Sequence, residues 1–96
     1  MKISELRDNM RRVNVTGKIV DKSETREVQS RYGRGKLRVA SATLQDETGS
    51  ITLTLWNQQI DEVNVGDTVK IENGYTNSFR GEVQLNVGRY GKLSVL

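Results

Sequence analysis

Four aromatic side chains stand where rings can meet a ligand. Trp56 closes an alternating apolar run, Tyr75 and Phe79 flank a segment rich in turn-forming residues, and Tyr32 is embedded in Arg31, Tyr32, Gly33, Arg34, Gly35, Lys36. A flat ring offers a stacking face to any base, and each phosphate attracts a guanidinium or ammonium group, so this combination suits single-stranded nucleic acid. The charge is local. Arg31, Arg34, Lys36 and Arg38 stand without an acid between Gln29 and Ala42, in a chain whose net charge is only +3. A clustered charge of this kind favours a polyanion held at one place. On its own, a glycine-flanked basic cluster more often reads as a solvated loop, so the weight rests on convergence with the rings.

Other chemistries lack their groups. The chain has no cysteine and no histidine, which removes disulfides, thiol nucleophiles, the usual zinc ligand sets and the commonest general base. Two adjacent acid pairs occur, Asp46 with Glu47 and Asp61 with Glu62, but the first suits a hairpin turn and the second an exposed helix face. Neither comes with a nucleophile, a metal ligand set or a phosphate loop, so the expectation is a binding protein without cofactor, and not an enzyme. No long apolar run or signal peptide is readable, which makes a cytoplasmic, nucleoid-associated protein the expectation. No protein partner can be read from the residues.

The elements that must position the rings follow from periodicity. At 96 residues the chain fits one domain, 1–96, with an end cap over 1–10, a barrel over 11–90 and a C-terminal end over 91–96. In the cap, Ser4 is the expected N-cap of a short amphipathic turn presenting Ile3, Leu6 and Met10. Val13, Val15, Gly17 and Ile19 alternate with polar residues, as in a half-buried strand, and Gly17 is the expected site of a bulge or bend. A second strand spans Lys36 to Asp46; its apolar phase changes between Val39 and Ala42, which predicts a bulge near Ala40. Asp46 to Gly49 reads as a tight turn into a third strand, Ile51 to Trp56, whose isoleucine and leucines face one way while Thr52, Thr54 and Trp56 face the other. Asn57 is the expected cap of a short helix reaching Val63. Val69 and Ile71 mark the fourth strand, Thr76 to Gly81 a loop, and Val83, Leu85 and Val87 the fifth. Tyr75 shares the inward parity of Val69 and Ile71, so its exposure requires an irregularity at Gly74.

An all-β, five-stranded OB-fold Greek-key barrel, with a short helix between strands 3 and 4, accounts for this order. Such barrels bind oligomers across strands 2 and 3 and between the loops joining strands 1 to 2 and 4 to 5. The Tyr32 loop is the first of those loops and the Phe79 segment the second.

The segments DETGSITLTLW (46–56) and VKIENGYTNSFRGEVQLNVG (69–88) resemble the archaeal single-stranded DNA-binding proteins built on one OB-fold, and the related replication protein A domains. The resemblance implies that Trp56, Tyr75 and Phe79 stack on bases. Tyrosine at 75 stands where some relatives carry tryptophan, and Asn86 where some carry an aromatic. It also implies single-stranded DNA, rather than RNA, as the partner. Beside it, the residues themselves assign phosphates to Arg31, Arg34, Lys36, Arg38, Arg80 and Lys70, base edges or sugars to Gln84 and Asn86, and closure over the strand to Tyr32. An OB module for RNA or for protein interaction is the alternative on the same fold.

Overall fold

The computed structural model describes residues 1–29, 35–88 and 91–96. Its elements are β1 (Val13–Lys22), β2 (Arg26–Gln29), β3 (Lys36–Asp46), β4 (Gly49–Trp56), α1 (Gln58–Glu62), β5 (Thr68–Phe79), β6 (Glu82–Asn86) and β7 (Lys92–Val95). The barrel closes through β1, β3, β4, β6 and β5, with β1 pairing β5. All of those pairings are antiparallel except β4 with β6. These are the five strands expected from alternation; β2 and β7 are short additions pairing with β3 and β5.

Barrel closure depends on β1 serving two partners. Its first half pairs with β5 and its second half with β3, and Lys18 takes part in both registers, opposite Thr68 and Gln45. Gly17 lies beside this handover, where an added Cβ would come within 2.9 Å of the Gln45 carbonyl oxygen. The irregularity itself falls between Ile19 and Asp21, so the glycine serves close strand approach and the bulge lies further on.

The bulge expected near Ala40 is absent from the β3–β4 pairing, which runs in unbroken register from Val39 opposite Trp56 to Asp46 opposite Gly49. The phase change has another origin. Ala40, Ala42 and Leu44 face the core, whereas Leu37 and Val39 lie on the outer face, where Val39 is buried at 7% exposure opposite Trp56.

The core combines Val13, Val15, Ile19, Leu44, Leu53, Leu55, Val69, Ile71 and Leu85. Full burial of a side chain of this size is worth about 1.5–3 kcal/mol. The N-terminal segment closes one end of it: Ile3 sits in the core cluster, with Leu6 and Met10 packed against it. The turn is a single 3-10 turn over Ile3–Glu5 preceded by Lys2, so Ser4 lies within it and does not cap it. The Glu5 carboxylate accepts the Lys2 N–H at 2.8 Å.

Candidate functional site

Register assembles one continuous outer face from β3, β4, β6 and β5. Directly facing residues in a sheet point to the same side, with Cβ atoms about 4.5–5.5 Å apart. Ser41 faces Thr54, Thr54 faces Asn86, and Asn86 faces Tyr75. The neighbouring row is Thr43, Thr52, Gln84 and Asn77. Val39 and Trp56 extend the face at one end; Glu82 and Phe79 extend it at the other. Trp56, Tyr75, Phe79, Gln84 and Asn86 therefore share a face, with Trp56 half-buried, Tyr75 40% exposed and Phe79 58% exposed.

Tyr75 reaches this face through a bulge. Val13 pairs with Gly74 and Val15 with Ile71, so β5 carries one extra residue, and Asn73 adopts a φ of 55°. Parity inverts there: Val69 and Ile71 are buried before it, Gly74 and Thr76 after it, and Tyr75 turns outward. A Cβ on Gly74 would meet the Asn86 carbonyl oxygen at 2.9 Å, and one on Gly88 would meet the Tyr75 ring at 2.9 Å. Gly88 thus leaves room for the phenol to lie against the backbone. No residue pattern marked it, because the contact exists only once the bulge has placed the ring.

The loop expected over Thr76 to Gly81 is a strand nearly to its end. β5 continues to Phe79, which pairs with Glu82, and the connection is Arg80 and Gly81, both at positive φ (54° and 81°). Two such residues make the type I′ hairpin turn, whose twist matches that of the flanking strands. Tyrosine, threonine and phenylalanine favour strands, and here they outweigh the turn character of Asn77 and Ser78. The turn keeps Arg80 next to Phe79, with its guanidinium carbon 5.2 Å from the ring centroid, within range of a cation–π attraction.

Polar groups around the rings are partly committed to one another. Asn86, 6% exposed, donates from Nδ2 to Asn77 Oδ1 at 3.2 Å, and Thr52 Oγ1 donates to Glu82 Oε1 at 2.8 Å. Beyond Trp56, the chain leaves β4 through Asn57, whose side chain makes no helix cap. Its Oδ1 instead accepts the Arg38 N–H at 3.0 Å, while its own N–H donates to the Arg38 carbonyl at 2.9 Å. Gln59 Oε1 accepts the Trp56 N–H at 3.1 Å. The end of β4 is therefore tied to both β3 and α1.

Of the described cations expected to meet phosphates, Arg80 stands beside a ring, whereas Lys36, Arg38 and Lys70 each have a carboxylate within 4.0 Å. Arg38 has the inward parity of Ala40 and forks onto the Asp61 carboxylate, with its nearer contact at 2.9 Å. That hydrogen bond, followed by the charge attraction, raises the Arg38 pKa and lowers that of Asp61. Lys36 stands 3.6 Å from Glu27. Lys70 lies on another wall, between Thr16 of β1 and Ser94 of β7, and 3.9 Å from Glu72. Arg31, Tyr32 and Arg34 lie outside the described residues. Among the described residues no acidic cluster is arranged to hold a metal ion, and no helix is long and apolar enough to cross a membrane.

A barrel closed in this order, with an aromatic outer face over β4, β5 and β6, defines an OB-fold protein. The family described as "Single-stranded DNA binding protein Ssb-like, OB fold" matches residues 6–95, and the chain belongs to that family. It is 40% identical over 93 residues to the single-stranded DNA binding protein Ssb of Saccharolobus solfataricus, covering 97% of this chain and 62% of that protein. It is 39% identical over 93 residues to replication factor A of Methanothermobacter thermautotrophicus, covering 93% of this chain and 12% of that protein. The chain thus spans less than two thirds of each of these relatives. Among solved structures, the second OB-fold domain of replication protein A from Methanococcus maripaludis superposes with a TM-score of 0.80 at 30% identity, covering all of this chain and 93% of that one. A replication protein A heterotrimer bound to single-stranded DNA shares the fold, with a TM-score of 0.77 at 18% identity over 24% of that chain.

Proposed function

We propose that this chain binds single-stranded DNA with little sequence preference, as an OB module of DNA replication, repair or recombination, and that it performs no catalysis. The observation that carries the proposal is the register that sets Trp56, Tyr75 and Phe79 on one outer face of the barrel. The names of the Ssb and replication factor A relatives support the same ligand class.

In this reading the rings receive bases, and each stacked base contributes about 1–3 kcal/mol. Strand geometry, at about 3.3 Å per residue and 4.8 Å between strands, separates the Trp56 and Tyr75 positions by roughly 12 Å and those of Tyr75 and Phe79 by roughly 13 Å. Bases in a duplex strand are stacked about 3.4 Å apart and have their faces covered, so only an unstacked strand can give a base to each ring. Gln84 and Asn86 lie between the rings and offer amide groups to base edges or sugars. Arg80 meets a phosphate beside Phe79, Lys36 acts from the start of β3, and Arg31, Arg34 and Tyr32 act from the segment between β2 and β3. Arg38, paired with Asp61, and Lys70, on the wall between β1 and β7, take a lesser part in this proposal than the cations beside the rings.

Trp56 is the sole tryptophan, so its fluorescence reports directly on the face. Titration with oligothymidine should quench it, while heparin, a polyanion without bases, should not. Equal responses to the two would overturn base stacking. The matching oligouridine separates DNA from RNA preference.

A further inference from the structure

A cleft of about 580 Å³ opens beside Tyr75, between the segment entering β1 and the bulge of β5. Arg11 and Arg12 line it together with Asn73, Tyr75 and Asn77. Both arginines are exposed, and neither makes an ion pair with a described residue, whereas Lys36, Arg38 and Lys70 each have a carboxylate within 4.0 Å. The corner that carries them is fixed. Met10 N–H donates to Thr76 Oγ1 at 2.8 Å, and Thr76 N–H returns to the Met10 carbonyl at 2.9 Å. Asn14 then bridges the two elements: its Nδ2 donates to the Arg12 carbonyl at 3.2 Å, and its Oδ1 accepts the Asn73 N–H at 3.0 Å. Arg12 itself holds a left-handed backbone, φ 55°, which is unfavourable for a side chain with a Cβ. These ties hold two cations, neither ion-paired to a described residue, beside an aromatic ring.

Tyr75 and Asn77 belong to the cleft and to the outer face alike, so the two are continuous. We infer that the cleft is a phosphate subsite, in which Arg11 and Arg12 neutralise phosphodiester groups of a strand running on past Tyr75. The inference rests on the single-stranded DNA reading of the outer face and extends that path away from β3. A polynucleotide fits better than an acidic peptide, because the cations stand directly beside a ring able to hold the preceding base.

The test is a paired variant, Arg11→Gln with Arg12→Gly; glycine is chosen at 12 because it adopts positive φ without strain. Binding of an oligothymidine of about 12 nucleotides is followed through Trp56 fluorescence across a salt series. Two phosphates released from the protein should make the log–log salt slope about 1.4 less negative, which corresponds to roughly 25-fold weaker binding at about 0.1 M salt relative to 1 M. The quenching amplitude should be retained. Arg11→Lys with Arg12→Lys should keep the wild-type slope, since charge is what the site supplies. Normal quenching with unchanged slope and affinity in the Gln/Gly variant would overturn this inference alone. Absence of quenching in the wild type would overturn it together with the reading on which it rests.

Discussion

Position 56 shows how far one residue can be interpreted. Strand parity sets Trp56 on the side of Thr52 and Thr54, with the alternative that the strand ends at Leu55 and the ring folds back under the next segment, and the register decides: Leu53 and Leu55 are fully buried while Trp56 lies opposite Val39 on the outer face. Replacing Trp56 by Ala should therefore weaken oligothymidine binding by about 1–3 kcal/mol, measured by calorimetry because the fluorophore is gone, while thermal unfolding stays cooperative. Loss of the folded state in that variant would return the indole to the core. Asp46 makes a different demand. Its carboxylate accepts the Ile3 N–H, the Thr48 hydroxyl and N–H, and the Gly49 N–H. The Ile3 contact is the largest cause that lowers its pKa from 3.8 to about 2. A carboxylate depressed on folding contributes stability above its unfolded pKa and loses it as pH falls through the folded value. Melting temperature should accordingly drop more steeply between about pH 4 and 2 in the wild type than in Asp46→Asn, with the Ile3 amide resonance titrating around the folded value, near pH 2. Identical profiles would detach Asp46 from the anchoring of the N-terminal segment. The turn it sits in was readable from Asp46, Thr48 and Gly49; the capture of Ile3, 43 positions away, was not, because nothing local specifies it.

Among the elements, hairpins were readable to different depths. A turn at Asp46 to Gly49 fixes the β3–β4 register, so alternation alone could have placed Val39, Ser41 and Thr43 beside Trp56, Thr54 and Thr52. The bulge expected near Ala40 is not needed, because both apolar phases of β3 are used, Ala40, Ala42 and Leu44 against the core and Val39 on the outer face, and a strand with apolar residues on both faces departs from simple alternation. At β5 the reverse held: an irregularity near Gly74 was needed to expose Tyr75, and one is found at Asn73. The strand's continuation to Phe79 was hidden by Asn77 and Ser78, whose turn propensity yields to pairing with Gln84 and Val83. The helix was expected from Asn57 and from the spacing of Ile60 and Val63, both of which are buried. Its end is held by something no local pattern shows: Lys22 Nζ, from β1, donates to the carbonyls of Ile60 and Val63. Free carbonyls at a helix terminus must find donors. Lys22→Met, which keeps the stem and removes the donor, should cost about 1–3 kcal/mol in chemical denaturation. A neutral result would show that water replaces the ammonium group at no cost.

At the scale of the whole molecule, the barrel separates stability from binding by sidedness. Leu53 is fully buried facing Ala42 and Leu85, whereas Thr52 and Thr54 on either side of it belong to the outer face. Leu53→Ala should cost about 2–5 kcal/mol of stability and leave affinity unchanged at temperatures where the protein remains folded. The charge on the chain is placed with equal selectivity. Arg38 is engaged by Asp61 and Lys70 occupies another wall, so far fewer cations than the total of 15 lysines and arginines can reach one bound strand. Counterion release counts only the phosphates actually neutralised, each contributing about −0.7 to the log–log salt slope for a single strand. With Arg80, Arg11, Arg12 and Lys36 taken as the cations that meet phosphates on the proposed path, these four alone set a slope near −2.8, made steeper by whatever the segment between β2 and β3 adds. Stacking, by contrast, is nearly independent of salt. Binding to oligothymidine should therefore weaken with salt but persist at high concentration, while binding to duplex DNA, which hides its base faces and leaves only the charge contribution, should vanish. Retention of duplex at high salt, or complete loss of the single strand there, would mean that phosphates and not rings carry the affinity.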